Sequence, residues 1–209
     1  MQSPNRSLSA PRTPTSRLGL MLTALVCGLV TVIAQAAAPT AANGDDGFER
    51  IVLSDQSGSD VRFHDLVANQ RIALQFIFTS CGTVCPTMGA QFGQLQKLLA
   101  RAAMDDVHLI SVSIDPARDT PQRLKAWADR FGHNPERWTL LTGPAPRIND
   151  LQHRLGVGVG EKTTHPALVL VNDGRGGDWI PLDALSATDT IVAALDRLHV
   201  PDDASGDRP

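Results

Sequence analysis

The run Ile72-Ala73-Leu74-Gln75-Phe76-Ile77-Phe78 is almost continuously apolar. Successive side chains of a strand point to opposite faces, so a strand reads this way only when both faces of its sheet are covered. The segments around it supply the cover. Behind Pro86, a residue suited to the start of a helix, Met88, Phe92, Leu95, Leu98 and Leu99 recur at helical spacing. Val107 to Ile114 reads as the next strand, and Asp119-Thr120-Pro121 opens a helix with Leu124, Trp127, Ala128 and Phe131 on one side. Trp138 to Leu141 reads as a strand, and Ile148, Leu151 and Leu155 as a short helix ended at Gly156. Ala167 to Val171 is the last strongly apolar strand, and Asn172-Asp173-Gly174 turns it toward Trp179 to Leu182 in a second hairpin. Ahead of the main run, Ile51 to Leu53 and Val61 to Phe63 flank Asp55-Gln56-Ser57-Gly58 as a small hairpin, and Ile191, Val192, Leu195 and Leu198 mark a closing helix. The alternation predicts an α/β fold, a central sheet with helices on both faces, without an internal repeat or a second domain.

The N-terminus is built differently. Residues 1–17 carry Arg6, Arg12 and Arg17 and no acid, and Leu18 to Ala34 is uncharged. This combination predicts a signal peptide or membrane anchor over 18–38, followed by a linker over 39–49, a domain over 50–200 and a polar tail over 201–209. A helix of Leu18 to Ala34 alone falls slightly short of a bilayer core of roughly 30 Å. Small residues at Ala34 to Ala38 resemble a cleavage site, so release and tethering both remain open. Basic residues ahead of an apolar run stay inside, which places the domain on the periplasmic face of the inner membrane. Three of the 19 basic residues and none of the 22 acidic ones lie in residues 1–35, leaving the exported part at a net charge of −6. Nucleic acid is therefore excluded as a partner.

Chemistry concentrates in Phe78-Thr79-Ser80-Cys81-Gly82-Thr83-Val84-Cys85-Pro86, at the passage from the apolar strand to the first helix. The third cysteine of the chain, Cys27, lies in the targeting segment and reads as an apolar helix residue. The positive end of a helix dipole favours thiolate, the form that binds metal or attacks a disulfide. The spacing is one residue longer than Cys-x-x-Cys, and the pair can chelate one soft ion as readily as it can oxidise. A structural disulfide here would close too short a loop to stabilise much, and structural zinc wants four Cys or His ligands. His165, in Thr164-His165-Pro166, stands at the entry to the late strand, where it could meet the two thiols. Two thiolates and one imidazole suit copper, although a lone His beside a strand is more often a surface or satisfied residue. His64, His108, His133, His153 and His199 show no partner at ligand spacing and read as solvated or capping residues.

Phe78-Thr79 ahead of Cys81-Gly82-Thr83-Val84-Cys85-Pro86, the stretch Val112-Ser113-Ile114-Asp115-Pro116-Ala117-Arg118-Asp119-Thr120-Pro121, Leu141-Thr142-Gly143 and the lone His165 together resemble the Sco/SenC family, over most of residues 50–199. The resemblance implies a thioredoxin-like fold and one copper, Cu(I) or Cu(II), held by Cys81, Cys85 and His165. It also implies a copper chaperone that helps assemble the binuclear copper centre of a respiratory enzyme such as cytochrome c oxidase. The partners implied are the copper-receiving subunit and the membrane, the latter through the N-terminal segment. The family commonly carries an acid and a proline between its cysteines, where this chain has Gly82, Thr83 and Val84. Thioredoxin-like redox enzymes carry a cis-proline facing their cysteines, and Pro166 is expected to be cis on that analogy. The same analogy supports an alternative, a thiol–disulfide oxidoreductase in which Cys81 attacks and Cys85 resolves. A peroxidase fits less well, because no Pro-x-x-x-Thr-x-x-Cys pattern precedes Cys81.

The carboxylates of Asp115 to Pro121 read as structural, with Asp119 or Thr120 capping the helix that Pro121 enters and Arg118 as a local ion partner. Gly156-Val157-Gly158-Val159-Gly160 lacks the setting of a phosphate loop and reads as a flexible loop near the metal.

Overall fold

The computed structural model describes residues 47–158 and 166–198. Its seven strands form one mixed sheet in the order β2-β1-β5-β4-β3-β6-β7. The strands are β1 (Val52–Asp55), β2 (Asp60–Arg62), β3 (Arg71–Ile77), β4 (Val107–Ser113), β5 (Trp138–Thr142), β6 (Leu168–Asn172) and β7 (Ile180–Asp183). The helices are α1 (Phe63–Val67), α2 (Val84–Arg101), α3 (Pro121–Asp129), α4 (Ala145–Arg154) and α5 (Thr188–Arg197).

β3 pairs with β4, and β4 with β5, in parallel. Both crossovers step the same way along the sheet, so their right-handedness puts α2 and α3 on one face. With α5 they cover Ala73, Ile77, Leu109, Trp138, Leu140, Val169 and Val171. The alternate residues of the same strands, Ile72, Leu74, Phe76, Ile110, Val112 and Leu141, face α1 and α4. Every residue of β3 is buried, as its apolar run demands. Its two polar side chains are engaged: Arg71 pairs with Asp106 and donates to the Leu195 carbonyl at 2.9 Å, tying α5 to the sheet, and Gln75 donates to Ser111 at 2.8 Å.

Several element limits differ from the sequence reading for local reasons. α2 begins at Val84, ahead of Pro86, because the first turn of a helix needs no amide hydrogen from its third residue. The first hairpin ends at Arg62, and Phe63 opens the short helix α1, burying its ring against Phe48 at 5.1 Å. α4 closes as expected: Gly156 takes φ +68°, its N–H donates to His153 O and that of Val157 to Gln152 O, a Schellman cap that sends Val157 into the core. Among the described residues no helix is long and apolar enough to cross a membrane, and segment 18–38 lies outside them.

Candidate metal centre

β3 leaves the sheet at Ile77, and the chain turns at once, with the Cys81 N–H donating to Phe78 O at 3.1 Å. This turn is fastened from below. Asp119, fully buried, accepts from the Thr79 N–H and hydroxyl and from the Ser113 hydroxyl, so the end of β3, the end of β4 and the start of α3 meet at one carboxylate. The capping role therefore falls to Thr120 alone, whose hydroxyl accepts from the Arg123 N–H at 3.3 Å, while Arg118 pairs with Asp115 as expected.

Cys81 and Cys85 are free thiols, 8% and 3% exposed. The residue before α2, Thr83, supplies no side-chain cap. The Cys81 sulfur takes that place. It accepts from the Cys85 N–H at 3.4 Å, one of the unpaired donors of the first helical turn, and lies 3.5 Å from the Thr83 hydroxyl. Burial opposes ionisation of Cys81, but donors from Cys85 and Thr83 outweigh it and bring the thiol down to about 7. Burial, its hydrogen bond to Cys81 and the charge there push Cys85 up to about 12. Cys81 is thus the more readily ionised of the two sulfurs, and Cys85 is held as a thiol.

The two sulfurs open onto a cleft of about 350 Å³, walled by Phe78, Met88 and Ile114 and reached by Pro166 and Ala167. The sheet explains why the late segment arrives here. β6 runs antiparallel to β3 with Gln75 opposite Val169, and the same register continued brings the residues just before β6 alongside the end of β3. His165 and the His165–Pro166 bond lie outside the described residues. Among the described residues no third His, Cys or carboxylate completes a metal cluster with the thiols. The donors present are nonetheless of the soft kind, in a partly apolar cleft, and suit a thiophilic ion.

Of the other described histidines, three are engaged elsewhere and His153 is exposed. His64 pairs with Asp65. His108 and His133, expected to be solvated or capping, are instead packed. His108 lies 2.8 Å from the Thr139 hydroxyl, and His133 lies 2.7 Å from Trp138 O with its ring on the indole. His199 and residues 159–160 of the glycine-rich loop fall outside the described residues. Reading from the sequence alone missed Thr83 as a donor to Cys81 and Asp119 as the brace of the cysteine turn.

A family model described as SCO1/SenC matches residues 40–195. The "SCO1 protein homolog" of Bacillus subtilis (strain 168) is 39% identical over 95 residues, 46% of this chain and 48% of that protein, so the matched stretch spans about half of this curated relative. The structure of BsSco, described as containing a disulfide switch and as a member of the Sco family of cytochrome c oxidase assembly proteins, superposes with a TM-score of 0.63 at 25% identity, covering 70% of this chain and 90% of that one. Bradyrhizobium japonicum ScoI with copper bound superposes with a TM-score of 0.59 at 26% identity, covering 71% and 97%. Strands β3, β4, β6 and β7 with helices α2 and α5 form the thioredoxin-like core of the chain, with the cysteines at the start of its first helix.

Proposed function

The chain belongs to the SCO1/SenC family, and on that premise we propose that it binds one copper ion through Cys81, Cys85 and His165 and delivers it during assembly of a binuclear copper centre in a respiratory enzyme such as cytochrome c oxidase. The observation that carries this reading is the pair of buried sulfurs at the first turn of α2, where the Cys81 sulfur accepts from the Cys85 N–H at 3.4 Å. Thiolate is the ligating form, and copper displaces a proton from Cys85 when it binds. The register of β6, which leads Pro166 into the same cleft, supports His165 as the third donor. We place the domain on the exported side of the membrane, held by residues 18–38 or released from them, with the copper-receiving subunit as its partner.

Titration of the reduced full-length protein with Cu(I) tests the reading. One equivalent should bind tightly, and Cys81→Ser or Cys85→Ser should each abolish it. A single-cysteine variant with wild-type affinity and stoichiometry would overturn it.

The split between Cys81 and Cys85 also favours a second reading, a thiol–disulfide oxidoreductase. Cys81 thiolate would attack a client disulfide, forming a mixed disulfide and releasing one client thiol. Cys85, deprotonated, would then displace the second, leaving this chain oxidised and the client reduced.

A further inference from the structure

We propose that a basic groove between α2 and α3 docks an acidic segment of a partner polypeptide and leads that partner to the cysteine cleft. Two adjoining clefts, of about 410 and 300 Å³, share Arg130. The first is walled by Gly93 and Lys97 of α2 and by Phe131; the second, by Arg123 and Trp127 of α3 and by Thr79, two residues from Cys81.

Small residues on the two helices hold them close together. A Cβ on Gly93 would stand 2.2 Å from the Phe131 carbonyl, so only glycine lets the end of α3 come this close to α2. Ala90 and Ala126, both exposed, leave the surface between the cations shallow and free of large side chains.

Its rim is positively charged without compensation. Lys97, Arg123 and Arg130 are exposed, and among the described residues none meets a carboxylate. Arg123 donates to the Arg118 carbonyl at 2.9 Å and Arg130 to the Trp127 carbonyl at 3.3 Å. Elsewhere Arg62, Arg71, Arg118, Lys125, Arg137 and Arg154 each face an aspartate, and the other cations without one among the described residues, such as Arg50, Arg101, Arg147 and Arg197, line neither cleft. No acidic residue lines either cleft among the described residues, although the chain after residue 35 carries a net charge of −6. Three unpaired cations in a trough on an acidic protein complement a run of carboxylates on a polypeptide, and repel other basic surfaces. A flat anionic lipid surface would engage projecting faces in preference to a recess between two helices. That the docked partner is the one receiving copper rests on the reading above; the groove's charge preference does not.

The probes are a fluorescein-labelled (Glu-Gly)6 peptide, its (Gln-Gly)6 counterpart and phosphatidylglycerol vesicles, each offered to the full chain held in detergent-free phosphatidylcholine nanodiscs. The Glu peptide should bind and the Gln peptide should not. The triple variant Lys97→Gln, Arg123→Gln, Arg130→Gln should weaken binding about tenfold, as three modest exposed ion pairs allow. The control Arg50→Gln, Arg62→Gln, Arg197→Gln, with the same change in net charge, should leave it intact. Single variants Lys97→Gln and Arg123→Gln should each cost about two- to threefold and provide the measurement if the triple variant misfolds by near-UV circular dichroism. Equal binding of both peptides, an equal loss in the control, or charge-dependent binding confined to the vesicles would overturn the proposal. Copper is read separately: a Cys81→Ser, Cys85→Ser double variant should lose copper and keep the peptide. A wild-type chain that binds the peptide without copper sinks the delivery reading alone, and one that binds copper without the peptide sinks the groove alone.

Discussion

Asp119 accepts from both the N–H and the hydroxyl of Thr79, at 3.0 and 2.5 Å, across a sequence separation of 40 residues. The same carboxylate takes the Ser113 hydroxyl at 2.6 Å. The position of the cysteine turn is therefore set by a side chain at the entrance to α3.

Replacing Asp119 by Ala should strand the Thr79 N–H and both hydroxyls in a buried site. A loss of about 2–4 kcal/mol in urea-unfolding stability is expected, with a weaker loss for Asp119→Asn, which keeps one carbonyl acceptor. Both variants should also bind Cu(I) less tightly than the parent. Wild-type stability for Asp119→Ala would show that the three hydrogen bonds do not anchor the turn.

In the reduced, metal-free protein, alkylation should discriminate sharply between the two thiols. Cys81 should react with iodoacetamide with a midpoint near pH 7, because its thiolate is stabilised from about 7 upward, while Cys85, pushed up to about 12, stays unreactive through neutral pH. Thr83→Val removes one donor and should move the Cys81 midpoint upward. Peptide mapping after a pH series checks both; equal labelling of the two cysteines would contradict the geometry.

His108 gives the fold an acid limit unrelated to the metal. Burial lowers its pKa from 6.5 to about 4, so the folded state favours the neutral ring. The stability this provides is full above pH 6.5 and lost as pH falls through 4, at most about 3 kcal/mol. His108→Gln, still able to bond Thr139, should flatten this part of the stability curve between pH 7 and 4. An unchanged slope would assign the acid sensitivity to other groups.

His165→Ala separates the two functional readings. Cu(I) can remain on two thiolates, whereas Cu(II) wants more ligands, so the variant should lose Cu(II) first in absorption titrations. In cells lacking the protein, oxidase assembly should fall and be partly restored by added copper. If His165→Ala complements fully while either cysteine variant fails, dithiol exchange is the activity and copper delivery is not.

The sheet was legible because its evidence is local. Ile72 to Phe78 has room for only one interpretation, and the helical spacing of Met88, Phe92 and Leu95 fixes the face of α2 that meets it. The cysteine pair was legible for the same reason, since motif and helix start coincide. Asp119 was not, because beside Thr120 and Pro121 it has the form of a helix cap and nothing in its neighbourhood reveals Thr79. Phe63 was misassigned to a strand, as an aromatic residue next to valine suits either element and only its packing on Phe48 decides. His108 and His133 were read as solvated because spacing reports ligand partners but not burial.

Both cysteines belong to the apolar layer that holds Met88, Phe92, Ile191 and Leu195. The sulfurs are thus structural neighbours of the α2–α5 half of the molecule, while the α1–α4 half lies behind the sheet. The cleft they open onto is closed from the other side by Phe76 and Ile114, which belong to the opposite layer, so the thiols sit where the two halves of the core meet at the end of the sheet.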